Sequence, residues 1–263
     1  MDEATIKNIP DLAIDSVSTA ERIVQFLKKE FSSRKKNRAI LALSGGIDST
    51  VAAYLCKMAG LDLYGIVLPY GEKGDEGIKV AEALNLTQDH IININIAPVV
   101  NSAAETLEGA IELDEMGKGN IMARERMVFQ YAIAKALGGL VIGTENLSEY
   151  YLGYFTLFGD QACDISPISS LWKTQVYQLG EYLGVPEWVL KKAPTAGLLE
   201  GQTDESEFGF TYKDADQILH LTFNLREPKE KIITDYGFVP DLVDKVLHRV
   251  AVTEFKRMEA PKC

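Results

Sequence analysis

Cysteine and long apolar runs are scarce in this chain. Its 263 residues include only three cysteines, at positions 56, 163 and 263, and no Cys-x-x-Cys pair. This spacing argues against a disulfide framework, a zinc site, and an iron–sulfur or thiolation enzyme. No apolar run approaches the roughly 20 residues of a membrane span, and the N-terminus lacks the basic and apolar segments of a signal peptide. We therefore expect a cytoplasmic protein without a membrane segment.

Positive charge is also in short supply. Lysine and arginine number 27 against 38 aspartates and glutamates, which gives a formal net charge of −11. Binding to nucleic acid generally needs a basic face, so we expect no nucleic-acid partner. The three histidines have no metal-ligand spacing and are interpreted as structural. The chain length fits one α/β domain, and we predict a single domain over residues 1–263.

The two commonest phosphate-binding loops are absent, because neither Gly-x4-Gly-Lys-Ser/Thr nor Gly-x-Gly-x-x-Gly occurs. Instead, Ser-Gly-Gly-Ile-Asp-Ser (residues 44–49) separates a short apolar run from an apolar helical pattern. A strand that passes through a small-residue loop into a helix N-terminus binds anions. Glycine lets the backbone approach phosphate oxygens, and Asp48 adds a hard oxygen ligand for Mg²⁺. This stretch therefore predicts a phosphate-binding loop.

Apolar strand patterns alternate with helical patterns through the first half of the chain. We predict strands at 39–43, 63–68, 90–96 and 140–142, and helices at 20–33, 48–58, 76–86, 98–111 and 120–137. The first helix is expected to be capped by Ser18 or Thr19, and residues 112–118 to form a charged loop. The alternation predicts an α/β fold, with a parallel twisted sheet and helices on both faces. Ligands bind such sheets at the carboxyl ends of the strands, where residues 44–49 and 143–149 both fall.

The second half carries longer motifs, in segments rich in loop residues. They are Gly-Thr-Glu-Asn-Leu-Ser-Glu (143–149), Gly-Tyr-Phe-Thr-Leu-Phe-Gly-Asp (153–160), Asp-Ile-Ser-Pro-Ile (164–168) and Pro-Thr-Ala-Gly-Leu-Leu-Glu-Gly-Gln-Thr-Asp-Glu (194–205), with a helical pattern at 171–183. Long loops in a compact domain tend to be functional. Residues 44–49 resemble the signature of the PP-loop ATP pyrophosphatases, which cleave ATP between the α- and β-phosphates. Together with the later motifs, residues 40–212 resemble ammonia-dependent NAD⁺ synthetases.

This resemblance implies a Rossmann-like three-layer fold of the adenine nucleotide alpha hydrolase kind. It also implies ATP-dependent amidation of deamido-NAD⁺ through an acyl adenylate, with Mg²⁺ as cofactor. The chain shows no further domain of a few hundred residues for glutamine hydrolysis, so free ammonia, or ammonia from a separate partner, is the expected nitrogen source. The resemblance further implies a homodimer, with the helix at 120–137 as candidate interface, a leading helix at 18–34, and a mobile lid at 193–208.

Residue roles follow from the resemblance, position by position. Asp48 and Glu149 match the metal ligands, and Asp48, Lys173 and Asp160 the catalytic residues. The positions matching ATP contacts are Ser44, Gly45, Gly46, Ile47, Asp48, Ser49, Arg124, Thr144, Lys173 and Thr195. The positions matching the deamido-NAD⁺ site are Asp160, Asp164, Phe155, Phe158, Lys256 and Arg257, where the two phenylalanines either stack on nicotinate or pack in the protein.

Three positions depart from the family pattern. Met122 replaces a usual lysine, Gln161 replaces a glycine after Asp160, and Phe255 replaces a histidine. These departures leave two alternatives open. One is another PP-loop adenylating enzyme that acts on a different carboxylate or on tRNA. The other is a nucleotide-binding sensor without turnover.

Overall fold

The computed structural model describes residues 8–71, 74–195 and 203–262. In the first half its elements are α1 Ser16–Ser33, β1 Arg38–Ala42, α2 Ile47–Met58, β2 Asp62–Val67, α3 Asp75–Ala83, β3 Ile91–Asn93, α4 Ala97–Glu108, α5 Glu115–Leu137 and β4 Leu140–Val141. In the second half they are α6 Leu147–Leu152, α7 Lys173–Leu183, α8 Glu187–Leu190, α9 Asp204–Phe208, α10 Tyr212–Leu219, α11 Lys229–Thr234 and α12 Pro240–Val252. Short 3₁₀ turns cover Gln88–His90 and Glu254–Arg257, and a π-helical turn covers His220–Asn224.

The four strands form one parallel sheet in the order β3-β2-β1-β4. Ala39 on β1 lies opposite Leu63 on β2 and Leu140 on β4, so the strands start in register. The sheet is covered on both faces, which explains why its strands are continuous apolar runs rather than alternating ones. The predicted parallel α/β fold is confirmed.

Successive residues of β1 point into two different apolar cores. Leu41 packs with α1, α2 and α7 on one face, whereas Ile40 packs with α4 and α5 on the other. The period of two along a strand produces this division. The result is the predicted three-layer arrangement of helices, sheet and helices.

A third apolar core lies among the C-terminal helices. It joins α6, α10, α11 and α12, and it includes Leu152, Trp172, Ile218, Ile232 and Val246. Tyr151 stacks on Phe223 with ring centroids 4.2 Å apart, which fixes α6 beside the π-helical turn. This core therefore holds α6 and the start of α7 in place at the edge of the sheet.

Several predicted element boundaries are wrong. The third strand ends at Asn93 rather than at residue 96, and a 3₁₀ turn precedes it. Asp15, not Ser18 or Thr19, caps α1 by accepting from the N–H of Val17. Helix α5 begins at Glu115, within the predicted charged loop, because Asp114 caps it by accepting from the N–H of Gly117.

The start of α7 also differs from expectation, and the predicted lid lies only partly within the described ranges. Helix α7 begins at Lys173 rather than at residue 171. Of the predicted lid at 193–208, residues 196–202 lie outside the described ranges, while α9 forms its C-terminal end. Within the described ranges, no helix is both long and apolar enough to span a membrane.

Candidate active site

The loop at residues 44–49 is held by its own hydroxyl groups. The Oγ atoms of Ser44 and Ser49 lie 3.0 Å apart, and the N–H of Gly46 donates to Ser44 Oγ at 3.2 Å. The hydroxyl of Thr50 donates to the carbonyl oxygen of Gly46 at 2.7 Å. These bonds fix the path of the backbone between β1 and α2.

Gly45 has the backbone conformation that the loop requires. Its φ is +80°, a region that residues with a Cβ rarely adopt. A Cβ on Gly45 would also lie 2.5 Å from the Cβ of Glu76 on α3. Only glycine therefore lets the loop pass this close to α3.

The N-terminus of α2 remains open to a ligand. Gly46 is its N-cap residue, and in the described part of the chain no side chain caps this end. The first backbone N–H groups of a helix have no partner within the helix, and they lie at the positive end of its dipole. The predicted anion site therefore has its donors in place, with Ile47 buried beneath it.

Two carboxylates and one buried ammonium meet beside this loop. Lys173 Nζ lies 2.6 Å from Asp48 Oδ2 and 3.0 Å from Glu149 Oε1, and the lysine side chain is only 2% exposed. The side-chain amide of Asn146 donates to Asp48 Oδ1 at 2.8 Å. Residues from α2, α6 and α7 thus converge at the carboxyl end of the sheet, which is the location predicted for Asp48 and Glu149.

A capping box positions Glu149. The Asn146 side chain accepts from the N–H of Glu149 at 3.0 Å, and Glu149 Oε2 accepts from the N–H of Asn146 at 3.2 Å. The side chain of each residue therefore accepts a hydrogen bond from the backbone N–H of the other at the start of α6. The sequence prediction did not assign Asn146 a role, although the Asn-x-x-Glu spacing is a capping signal.

Asp216 connects the elements that carry the cluster. Its carboxylate accepts from Ser148 Oγ, and from the N–H and the hydroxyl of Thr174 at 2.9 and 2.8 Å. Ser148 Oγ accepts in turn from the N–H of Lys173 at 2.7 Å. Burial raises the pKa of Asp216 to about 6, although these hydrogen bonds oppose the shift. The sequence prediction missed Asp216, because no motif marks this position on α10.

The electrostatics of the cluster favour a cation. Burial disfavours the Lys173 ammonium, but Asp48 and Glu149 outweigh that effect and raise its pKa. Burial raises the pKa of Glu149, with Lys173 opposing and Asp48 assisting the shift. The Lys173 ammonium also lies 5.1 Å from the ring centroid of Tyr212. The position between the carboxylates is therefore built for positive charge.

A second acidic group lies around Asp160. The N–H of Thr156 donates to Asp160 Oδ1 at 2.8 Å, and the Asp160 side chain is exposed. Glu145 has a buried Oε1 that has no hydrogen-bond partner among the described residues. Burial, assisted by the charge of Asp160 and opposed by Lys256, raises the pKa of Glu145 to about 8. Sequence reasoning missed Glu145, which lies within the predicted motif at 143–149.

A cation that the sequence prediction did not name lies near Asp160. The Arg126 Nε donates to the carbonyl oxygen of Leu68 at the end of β2, at 3.1 Å. Burial lowers the pKa of Arg126, while Asp160 opposes that shift. Met122 stands on α5 where the family usually has lysine. It is 7% exposed and packs in the apolar core between α5 and the sheet. Arg126, one helical turn further, is thus a guanidinium beside the site.

The two phenylalanines have different environments. Phe155 is 6% exposed, and the Lys256 ammonium lies 5.3 Å from its ring centroid, so this ring packs within the protein. Phe158 is 71% exposed and has φ of +59°. An exposed aromatic residue held in the left-handed region is typical of functional loops. Of the two, Phe158 is the ring available for stacking.

The remaining predicted substrate contacts mostly hold the loops. Lys256 Nζ donates to the carbonyl oxygens of Gly153 and Phe155 at 2.8 and 2.7 Å, and Arg257 donates to that of Tyr151 at 2.8 Å. Asp164 Oδ2 accepts from the N–H of Val141 on β4 at 2.8 Å. In the structure, these three side chains therefore fix the backbone around the Asp160 loop.

The other predicted ATP contacts surround the cluster less closely. Arg124 is exposed, and its Nε donates to the carbonyl oxygen of Leu157 at 3.2 Å. Thr144 is half-buried in the loop after β4. Thr195 is exposed and is the last described residue before the gap at 196–202. The structure therefore places Arg124 against the loop that carries Asp160.

The donor set at Asp48 and Glu149 fits Mg²⁺. In the described part of the chain, no three acidic, histidine or cysteine side chains are arranged as a complete metal cage. Mg²⁺ does not need one, because it is usually held by one or two carboxylates together with substrate phosphates and water. Two hard carboxylates beside a phosphate-binding loop meet that requirement.

The fold and the site define a class of α/β enzyme with a phosphate-binding loop and a paired carboxylate site. The family model for NAD synthase matches residues 19–260, and the chain belongs to this family. It is 42% identical to the NH(3)-dependent NAD(+) synthetase of Pyrococcus horikoshii over 93% of both chains. A structure of NMN synthetase from Francisella tularensis superposes with a TM-score of 0.83 and 32% identity, over 95% of this chain and 99% of that one.

A second solved structure gives the same result. The NH3-dependent NAD synthetase from Campylobacter jejuni superposes with a TM-score of 0.80 and 27% identity, over 95% of this chain and 100% of the other. The chain is thus an enzyme of the NAD synthase family, and the resemblance inferred from its motifs is confirmed.

Proposed function

We propose that the chain catalyses the ATP-dependent amidation of deamido-NAD⁺ with ammonia, which gives NAD⁺, AMP and pyrophosphate. The observation that carries this proposal is the convergence of Asp48, Glu149 and Lys173 beside the open N-terminus of α2. A triphosphate bound there meets backbone donors, a lysine and two metal-binding carboxylates. The relative from Pyrococcus horikoshii, named NH(3)-dependent NAD(+) synthetase, supports ammonia as the nitrogen donor.

The reaction proceeds in two steps. The carboxylate of deamido-NAD⁺ attacks the α-phosphorus of ATP, which expels pyrophosphate and gives an acyl adenylate. Ammonia then attacks the acyl carbon, and AMP leaves. The loop at 44–49 and Lys173 stabilise the negative charge that develops on the phosphates. Asp48 and Glu149 would hold Mg²⁺, and the ion would supply Lewis-acid stabilisation of the phosphate oxygens.

Asp160 serves the second step. A carboxylate beside the acyl adenylate attracts ammonium and accepts its proton, so that neutral ammonia can attack. Thr156 orients Asp160 through its backbone N–H. Phe158 is the exposed ring that stacks on the pyridine of the substrate, whereas Phe155 packs beneath the loop. Arg124, Thr144 and Thr195 complete the ATP contacts.

One assay tests the proposal. The protein is incubated with ATP, Mg²⁺, deamido-NAD⁺ and ammonium, and AMP and NAD⁺ are measured together. Asp48→Asn should lower both products by about two orders of magnitude or more, because a metal ligand that also contacts the catalytic lysine is lost. Circular dichroism should show that the variant keeps its fold. Formation of neither NAD⁺ nor pyrophosphate by the unmodified protein would reject the proposal.

A second candidate substrate comes from the structure named NMN synthetase, which superposes with a TM-score of 0.83. Its name points to the mononucleotide carboxylate as the acceptor. The same assay with nicotinate mononucleotide in place of deamido-NAD⁺ separates the two candidates through the ratio of their kcat/KM values. A higher value for the mononucleotide would assign this chain to the second activity.

The proposal includes a homodimer and a cytoplasmic location. Exposed apolar side chains on α4 and α5, among them Val99 and Val128, support α5, together with α4, as the dimer interface. The acidic composition gives no support for a nucleic-acid partner.

A further inference from the structure

The four carboxylate oxygens of the cluster are all engaged. Asp48 Oδ2 and Glu149 Oε1 accept from the Lys173 ammonium at 2.6 and 3.0 Å. Asp48 Oδ1 and Glu149 Oε2 accept from the side chain and the backbone N–H of Asn146 at 2.8 and 3.2 Å. A cation that enters between the two carboxylates must therefore take oxygens that Lys173 now holds.

The Lys173 ammonium is a cation that the protein itself holds between Asp48 and Glu149. The lysine side chain is 2% exposed, and Lys173 is the first residue of α7, whose start is fixed to Ser148. One ammonium balances only one of the two carboxylates, whereas a divalent ion balances both. Moving the buried ammonium away from both carboxylates would break its two ion pairs without restoring its contact with water. A metal ion alone must offset that cost, because it offers the lysine no new counter-ion.

A nucleotide changes this balance. Its triphosphate brings negative charge to the N-terminus of α2, next to Asp48, and offers phosphate oxygens to the displaced ammonium. The same triphosphate supplies further ligands to the metal. Nucleotide binding thus provides new partners for the Lys173 ammonium and further ligands for the metal ion at the same time.

We propose that Lys173 occupies the metal position of the unloaded enzyme, so that the divalent ion binds at Asp48 and Glu149 only together with nucleotide. The inference rests on the proposed metal role of these two carboxylates. It assigns Lys173 a function before any chemistry, in addition to stabilising charge on the phosphates.

Mn²⁺ binding without nucleotide tests the inference. Free Mn²⁺ is measured by electron paramagnetic resonance with the whole chain, for wild type, Glu149→Gln, Lys173→Met and Lys173→Met/Glu149→Gln. The wild type should bind no ion that depends on Glu149. Lys173→Met should bind one additional ion per chain about tenfold or more tightly than any site of the wild type. The double variant should lose that ion.

The matched control is Lys229→Met, which removes a half-exposed lysine from its ion pair with Asp244. It should bind Mn²⁺ like the wild type. Thermal unfolding provides a second readout, because Lys173→Met leaves two partly buried carboxylates without their cation. Its melting temperature should be lowered in a chelator and restored by Mn²⁺, while that of the wild type should not change.

Two outcomes would overturn the inference. One is a Glu149-dependent ion on nucleotide-free wild type, a measurement that stands even if Lys173→Met fails to fold. The other is a folded Lys173→Met protein that binds no additional ion. If the wild type makes NAD⁺ and folded Lys173→Met binds no additional ion, the inference is overturned but the proposed function stands. A wild type that makes neither NAD⁺ nor pyrophosphate rejects the proposed function as well.

Discussion

Glu145 is a residue whose ionisation should govern stability. Its Oε1 is buried without a hydrogen-bond partner among the described residues, and burial together with Asp160 raises its pKa to about 8. The folded protein therefore binds this proton more tightly than the unfolded chain does. The stabilisation from the proton is complete below the ordinary carboxyl pKa, and it is lost as the pH rises to about 8.

We predict that Glu145→Gln removes this pH dependence. Relative to wild type, the variant should gain free energy of unfolding between pH 5 and pH 9. The gain should be on the order of 2 kcal/mol, since a pKa unit is worth about 1.4 kcal/mol and water screens part of this carboxyl. Urea unfolding at both pH values measures the difference. The exposed Glu181, changed to glutamine, is the control, and an equal pH dependence for all three proteins would contradict the prediction.

Single residues also show where sequence reasoning stops. Asp48, Glu149 and Lys173 could be predicted because each lies in a motif with its own local pattern. Asp216 and Arg126 could not be assigned, because their roles depend on neighbours from other elements. Asp216, for example, reaches Ser148 and Thr174, which are 68 and 42 residues away along the chain.

Among the elements, the loop between β1 and α2 packs closely against α3. The loop turns at Gly45, where φ is +80° and a Cβ would lie 2.5 Å from Glu76 Cβ. The left-handed conformation costs a residue with a Cβ about 1–2 kcal/mol. The contact with α3 adds to that cost, since the obstructing atom is a Cβ close to the α3 backbone rather than a flexible side-chain end.

We predict that Gly45→Ala lowers the free energy of unfolding by about 2–3 kcal/mol and weakens ATP binding by about tenfold or more, because the loop must shift away from α3. Gly60→Ala is the matched control. Gly60 also has a positive φ, of +71°, but a Cβ there meets no atom within 4 Å. Gly60→Ala should lose stability and keep ATP affinity. Calorimetric titration with ATP separates the two, and equal affinities would contradict the prediction.

Element boundaries could be predicted only where the signal is local. The turn at 44–49 and the end of α5 at Gly138, with φ of +68°, follow from glycines in the sequence. The third strand was predicted too long, because its alternating pattern runs to residue 96. Its pairing with β2 ends at Asn93, and only the partner strand could define that limit.

At the scale of the whole molecule, an acidic chain carries the proposed triphosphate site. The net charge is −11, yet backbone N–H groups at α2, Lys173, Arg124 and Arg126 surround the phosphate-binding loop and the Asp160 loop. We therefore expect local donors, rather than the total charge, to determine anion binding here. The acidic composition should disfavour nucleic acids.

The layer of α4 and α5 leaves one apolar surface uncovered. An open groove of about 660 Å³ on α4 is lined by Pro98, Val99, Ser102, Ala103, Thr106 and Leu107. Val99 is 41% exposed, and Val128 on α5 is 51% exposed. Exposed apolar patches of this kind mark protein interfaces. A second copy of the chain is the proposed occupant.

We predict that wild type sediments as a dimer, and that the double variant Val99→Glu/Val128→Glu raises the dimer dissociation constant by about thirtyfold or more. Two carboxylates would have to be buried without partners, and removing an interface anchor alone costs about 2 kcal/mol. Val252→Glu, equally exposed at 54% but on α12, should leave the dimer unchanged. Sedimentation velocity over a range of concentrations measures all three. A wild-type monomer at every concentration would contradict the predicted dimer. An unaltered dimer in the double variant would place the interface elsewhere than on α4 and α5.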